Sequence, residues 1–183
     1  GMRCPGIFED RCAIANVISR VMPRWRPEAA EEHLVVDWTG YYSESFLQIT
    51  FRRIGLDLVN MTRLPRLPPQ TRLSTLSQFY GVNFKADDPR GTVPFLMYRL
   101  RDPNPTYEPR RTTKGVRRVN TKLFDLKQQL RGTGAASALI HATDNIQETK
   151  DNLAALGIAY QPTRRFETVL DAFRALDAAP GLR

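Results

Sequence analysis

From residue 92 onward the apolar spacing switches between period two and period 3.6, and that alternation restricts the fold class more than any other feature. Thr92–Leu100 reads as a strand, with Pro94 at the start, where an edge or first strand position tolerates it. Val116, Val119, Leu123, Leu126 and Leu130 recur at steps of three and four and predict a helix to Arg131, closed by Gly132-Thr133-Gly134. Ala136–His141 is a short apolar strand. Asn145 and Glu148 have the spacing of a capping box, and Ile146, Thr149, Leu153 and Leu156 give the helix after it an apolar side that Gly157 closes. Ile158–Tyr160 suits a further short strand. Thr163 caps a last helix carrying Phe166, Val169, Leu170 and Phe173. Strand and helix in alternation imply α/β layering: helices on a mixed, partly parallel sheet, with a βαβα-type C-terminal half.

The first ninety residues form a less regular helix-plus-hairpin part. Ile7, Phe8, Cys12, Ala15, Ile18 and Met22 share a helical side over residues 7–22, which Pro23 stops, and Pro27 starts a short helical turn. His33–Trp38 reads as a strand. Phe46–Phe51 alternates and reads as its hairpin partner across Gly40–Ser45, with a helix through 44–54 as the competing assignment. Gly55–Asn60 suits a third strand. Three prolines between Leu64 and Pro69 punctuate the chain, and a helix from Gln70 or Thr71 to Gly81 follows. A length of 183 residues fits a single α/β domain over 1–183, with a subdomain boundary near 64–90.

Charge is concentrated. Between Arg99 and Arg131 stand ten basic residues against Asp102, Glu108 and Asp125, a net of +7 in a chain whose total is +8. Arginine outnumbers lysine by 22 to five, which favours forked contacts to phosphate or carboxylate. An arginine-rich composition also follows from a GC-rich genome.

Two segments carry candidate chemistry. In the first, His141-Ala142-Thr143-Asp144-Asn145 leaves a strand and opens a helix, where ligands of open α/β sheets bind. His141 suits proton transfer or nucleophilic attack, and Asp144 suits its polar partner. The bland reading makes Thr143, Asp144 and Asn145 ordinary helix-capping residues. In the second, Arg110, Arg111, Thr113, Lys114, Arg117 and Arg118 surround Gly115 and suit an anion or phosphate at a helix start, with Tyr107 beside them for stacking on a base. The bland reading is a solvated loop and a basic helix face. Asp37, Trp38, Tyr41, Tyr42 and Glu44 form a weaker set suited to a sugar or a base, or equally to a sheet edge and its turn, and Asp87-Asp88 suits a divalent cation or a turn. His33 has no neighbour in sequence that suggests chemistry.

Ile140-His141-Ala142-Thr143-Asp144-Asn145 with Glu148 locally resembles the segment of nucleoside diphosphate kinases that holds the phosphate-accepting histidine, a His-Gly-Ser-Asp-Ser run before a helix with a nearby Glu. The resemblance implies a nucleophilic role for His141. It covers fewer than ten residues, Ala142 and Asn145 replace the family's Gly and second Ser, and the family's early lysine-bearing segment has no counterpart.

A P-loop, a Gly-x-Ser-x-Gly elbow and a His-Glu-x-x-His pair are all missing from the sequence. Cys4, Cys12 and the two histidines give no zinc spacing, so two thiols in a reducing compartment are expected, no metal is assigned, and the cofactor stays unknown. Gly1-Met2 reads as a tag remnant before a native start. The absence of a signal peptide and of a long apolar run points to a cytoplasmic chain without a transmembrane segment. The expected partner is a phosphorylated small molecule or nucleotide, bound by the basic loop and acted on through His141 by phosphoryl or glycosyl transfer or hydrolysis. The alternative is a non-catalytic nucleic-acid-binding protein using the basic 99–131 segment. A third reading gives the basic face an acidic protein or an anionic membrane surface as its partner. The small-ligand reading requires the 110–118 and 141–145 loops to meet.

Overall fold

The structure is a computed structural model, and it describes residues 30–112, 115–132 and 139–162. The expected helix over 7–22, the Pro27 turn, both cysteines and the Thr163 helix lie outside the described residues, as do Thr113 and Lys114. The described elements run β1 (Glu31–Asp37), α1 (Glu44–Arg53), β2 (Asp57–Leu64), α2 (Pro69–Tyr80), β3 (Phe95–Asp102), β4 (Tyr107–Thr112), β5 (Gly115–Asn120), α3 (Thr121–Arg131), β6 (Ile140–Ala142) and α4 (Ile146–Ala155). Among them no helix is long and apolar enough to cross a membrane.

Four strands form one sheet in the order β2-β3-β1-β6, and every neighbouring pair is antiparallel. The mixed α/β class is as expected, but the partly parallel sheet and the βαβα half are not found. β3 and β6 do point the same way, yet β1 lies between them, so each meets an antiparallel neighbour. Setting aside α2 and the β4–β5 hairpin, the path β1-α1-β2-β3-α3-β6 is a split βαβ arrangement.

Helices cover both faces. Val35, Tyr98 and Leu100 pack with Leu47 and Phe51 of α1 and with Leu123, Leu126 and Leu130 of α3. Leu34, Val36 and Met97 on the opposite face pack with Leu76 and Phe79 of α2 and Leu153 of α4. Strand alternation produces this division, because successive side chains of β1 point to opposite sides.

Several elements differ from their sequence pattern for local reasons. Residues 46–51 are helical rather than strand. Ser43 caps α1 by accepting from the Phe46 backbone N–H, Glu44 favours its N-terminus, and Leu47, Thr50 and Phe51 lie on one side. The basic helix begins at Thr121 instead of Val116. The Asn120 side chain caps it by accepting from the Leu123 N–H, which leaves Gly115–Asn120 free to pair with β4. The stretch between the expected strand to Leu100 and the expected helix from Val116 is therefore mostly hairpin. Ile158–Tyr160 is not a strand, and Ile158 and Tyr160 pack against the α2–α4 core.

A buried carboxylate shapes the turn after β1. Asp37 is fully buried. Its Oδ1 accepts from the backbone N–H groups of Thr39, Gly40 and Tyr41, and its Oδ2 from that of Tyr42, at 3.0–3.3 Å. Those four bonds match the sheet-edge and turn reading of this residue set. Asp37→Ala leaves four amide donors without this acceptor and is expected to lower unfolding free energy by at least about 2 kcal/mol, read from urea denaturation.

Candidate functional site

His141 is the middle residue of β6 and pairs with Val36, so its side chain faces α2 and α4. It is 4% exposed. Its Nε2 lies 2.8 Å from the Asn152 side-chain amide of α4, and its ring meets those of Phe79 and Tyr80 edge-on, at centroid separations of 5.4 and 5.0 Å. The strand-turn-helix setting that the kinase-like segment implies is present: Asn145 accepts from the Glu148 N–H, and Glu148 accepts from the Asp144 N–H.

Two arginines reach this corner. The Arg90 guanidinium lies over the Tyr80 and Phe84 rings, 4.8 and 4.7 Å from their centroids. Arg131, at the end of α3, donates to the carbonyl of Ile140, the residue before His141. The Tyr80 hydroxyl accepts from the Trp38 indole at 2.8 Å, and burial pushes its pKa up to about 12. Burial also lowers the Arg131 pKa, with the nearby Arg90 charge adding to that and the Tyr80 hydroxyl opposing it. The Arg131 Nε is enclosed without a hydrogen-bond partner, while the Arg90 Nε faces the Asp88 carboxylate. Arg90 has Asp88 beside it at 3.4 Å, whereas no carboxylate among the described residues pairs with Arg131. Arg72 builds the platform: its guanidinium donates to the carbonyls of Ala86, Asp88 and Arg90, fixing the loop that presents Arg90.

The other expected site residues lie elsewhere. Asp144 does not serve the imidazole, a place Asn152 takes. Its carboxylate accepts from Lys127 of α3 at 2.5 Å. Arg110, Arg111, Arg117 and Arg118 lie on β4 and β5. Arg110 pairs with Glu108 at 2.9 Å, while Arg111, Arg117 and Arg118 are exposed. Tyr107 donates its hydroxyl to Glu31, and both burial and that hydrogen bond raise its pKa. The two loops meet at their bases, where the Asn120 N–H donates to the Asp144 carbonyl at 2.8 Å, but His141 points to the opposite face of the sheet from α3.

Sequence reasoning missed Tyr80 and Asn152 as contacts of His141, and Arg90 and Arg131 as the cations beside Tyr80 and Ile140. Arg131 was visible only as one charge in a run, and Arg90 sat inside an ordinary turn signature. Asp87 and Asp88 belong to that same loop, and among the described residues no group of three or more acidic, histidine or cysteine side chains could hold a metal.

His33 also has a setting its sequence neighbours hid. It is fully buried on the α3 face, its Nε2 3.4 Å from the Asn120 amide and 3.6 Å from Glu31, its Nδ1 without a partner. Asp102, also fully buried, accepts from Asn120 at 2.9 Å and from Lys122 at 2.6 Å. Burial lowers the His33 pKa to about 4, against the opposing charges of Asp102 and Asp144, with Lys122 helping to lower it.

No protein-family model matches the chain, and no curated protein resembles it significantly.

The His33 shift carries a pH prediction. The folded state holds the ring neutral, so its stabilising effect is complete above the unfolded value of 6.5 and is lost as pH falls toward about 4. The loss amounts to about 3 kcal/mol at most. His33→Gln is expected to flatten the slope of unfolding free energy in that window, and equal slopes in both proteins would contradict the assignment.

Proposed function

We propose that this protein binds the phosphate group of a phosphorylated small molecule or nucleotide at the corner formed by His141, Tyr80, Arg90 and Arg131. The observation that carries this reading is the convergence of Arg90, over the Tyr80 ring that packs on His141, and Arg131, on the carbonyl of the residue before His141. Arg131 donates to the Ile140 carbonyl with its Nε enclosed and without a hydrogen-bond partner, and Arg90 has Asp88 3.4 Å from its Nε, so an added anion between the two guanidinium groups would be stabilising. A phosphate supplies both charge and acceptors, and arginine forks match its geometry.

The cations of this reading differ from those expected of the sequence, since Arg90 and Arg131 replace the 110–118 set. His141, held through Nε2 by Asn152, is the group suited to act on such a ligand, as acid–base or as nucleophile. Its tautomer follows from which end of the Asn152 amide faces the ring. The local resemblance to the kinase segment supports the nucleophilic choice. Positioning and charge stabilisation would supply most of the work in phosphoryl chemistry.

The test is calorimetric titration with inorganic phosphate, a sugar phosphate and a nucleoside triphosphate, at matched ionic strength. Arg131→Gln is expected to weaken the best of these by ten-fold or more, and Arg90→Gln to act in the same direction. His141→Gln is expected to retain binding and to lose any acid-labile phosphate label acquired from the triphosphate. Absence of phosphate-dependent binding in the unaltered protein would overturn the reading.

A further inference from the structure

α1 carries an exposed apolar stripe. Its inner side is taken up by the core, where Leu47, Thr50 and Phe51 are buried. On its outer side Phe46 is 43% and Ile49 58% exposed, one helical turn apart. Tyr41, 57% exposed, continues the stripe into the turn before the helix. The stripe is held rigidly. The Phe46 ring stacks on that of Tyr42, with centroids 5.6 Å apart and planes 17° from parallel, and the Tyr42 hydroxyl donates to the Leu130 carbonyl at 2.5 Å. Tyr41 meets Tyr42 edge-on, and Tyr41, Tyr42, Ser43 and Phe46 line a shallow cleft at the start of the helix.

The charges of α1 sit at its two ends. Glu44 opens the helix and Arg52 and Arg53 close it, all three exposed, and among the described residues none of them makes an ion pair. Acid, apolar centre, base is a self-complementary order. Turned about a two-fold axis at Gln48, a second α1 runs antiparallel to the first, and Arg52 of the second copy comes level with Glu44. The Ile49 side chains meet near the axis, each beside Phe46 of the other copy. Ser45, on the same side of the helix as Ile49, is small and lets the helices approach. Arg53 of the second copy arrives at the cleft, where the exposed Tyr41 and Phe46 rings offer its guanidinium a cation–π partner.

We propose that α1 is a self-association surface: two copies of this chain pack their α1 helices antiparallel across a two-fold axis, with Phe46 and Ile49 at the centre and a Glu44–Arg52 pair at each end. The helix dipole accounts for an acid first and bases last, but not for a phenylalanine and an isoleucine exposed between them. A two-fold axis uses both, because one set of residues then serves both sides of the contact. The Tyr42 stack and the Tyr42–Leu130 hydrogen bond fix Phe46 beforehand, which lowers the ordering cost of association. A ten-residue helix is about 15 Å long, so α1 alone offers less than the ~1,200 Å² of a standard interface, and the dimer is a weak one, with dissociation on the order of tens of micromolar. α1 packs on the face of the sheet opposite His141, so the proposal is independent of the phosphate reading.

Sedimentation velocity of the full chain from about 5 to about 500 µM tests this. The unaltered protein is expected to pass from monomer to dimer over that range, with no larger species, since a two-fold contact closes on itself. Ile49→Glu is expected to stay monomeric throughout. Glu44→Arg and Arg52→Glu each bring like charges together, and each alone is expected to weaken the dimer ten-fold or more. An equimolar mixture of these two variants restores both opposite-charge pairs and is expected to regain the affinity of the unaltered protein. All three positions are exposed, and folding is checked by circular dichroism; if Ile49→Glu misfolds, the charge-reversal mixture decides. A monomer at every concentration leaves the stripe to a sugar or a different protein and overturns the proposal. So does a dimer indifferent to the three substitutions, or a mixture no tighter than its components. Inorganic phosphate titrated into the same variants is expected to act as on the unaltered protein, so failure here and failure of the phosphate reading are told apart.

Discussion

β1 is the constraint on which the other elements depend. It pairs on both sides, with β3 and β6, and both of its faces are covered. Leu34, Val35 and Val36 are fully enclosed, and burial of such side chains contributes about 1.5–3 kcal/mol each. The α1–α3 core and the α2–α4 core lie back to back across this strand and β3. The residues that flank the apolar run are polar and just as buried: His33 on one side and Asp37 on the other. Each organises one end of the sheet, His33 beside the base of the hairpin and Asp37 in the turn that leads to α1.

Register along β1 then decides which chemistry is neighbour to which. His141 opposes Val36 and so joins Phe79, Tyr80 and Asn152, while Ile140 and Ala142 join the α1–α3 core. A slip of one residue would exchange these faces and bring the imidazole under α3. The capping Asn145 and Glu148 set the entry of α4, and with it the position of Asn152 against the imidazole. Arg131 approaches the same corner from α3 by reaching the Ile140 carbonyl on the edge strand. The corner therefore draws on α2, α3, α4, β6 and the Arg90 loop, five pieces that are distant in sequence.

That distance explains what the sequence did and did not disclose. The β1, α2, β3 and α4 elements were legible because each rests on local signals: an apolar run, Gly81, a period-two segment, a capping box. The antiparallel pairing was not. A continuous apolar run such as Leu34–Val36 resembles a strand of a parallel sheet, because parallel strands are covered on both faces. Here the same burial arises in an antiparallel sheet with helices on both sides. Val116 and Val119 fit a helical period as well as a strand, and the arbiter was Asn120, whose cap was legible only as one asparagine among several. Within the site, His141 was visible from its strand-to-helix context, but Tyr80, Arg90 and Arg131 reach it through tertiary packing alone.

The hairpin shows how an arginine-rich segment is held in one place with little apolar surface of its own. Val119 is buried, but Val116, Arg111, Arg117 and Arg118 are exposed, so hydrophobic packing fixes only its base. Buried polar bonds fix the rest. Asp102, at the end of β3, receives donors from Asn120 and Lys122 after the hairpin and from the Asn104 N–H before it. One carboxylate thus ties both stems of the insertion to the sheet. A buried carboxylate satisfied by three donors strongly specifies geometry, since losing any one leaves a costly unpaired group. His33 beside it stays neutral at ordinary pH and so adds no charge to that balance. The same end of α3 that would attract anions is closed by the Asn120 cap.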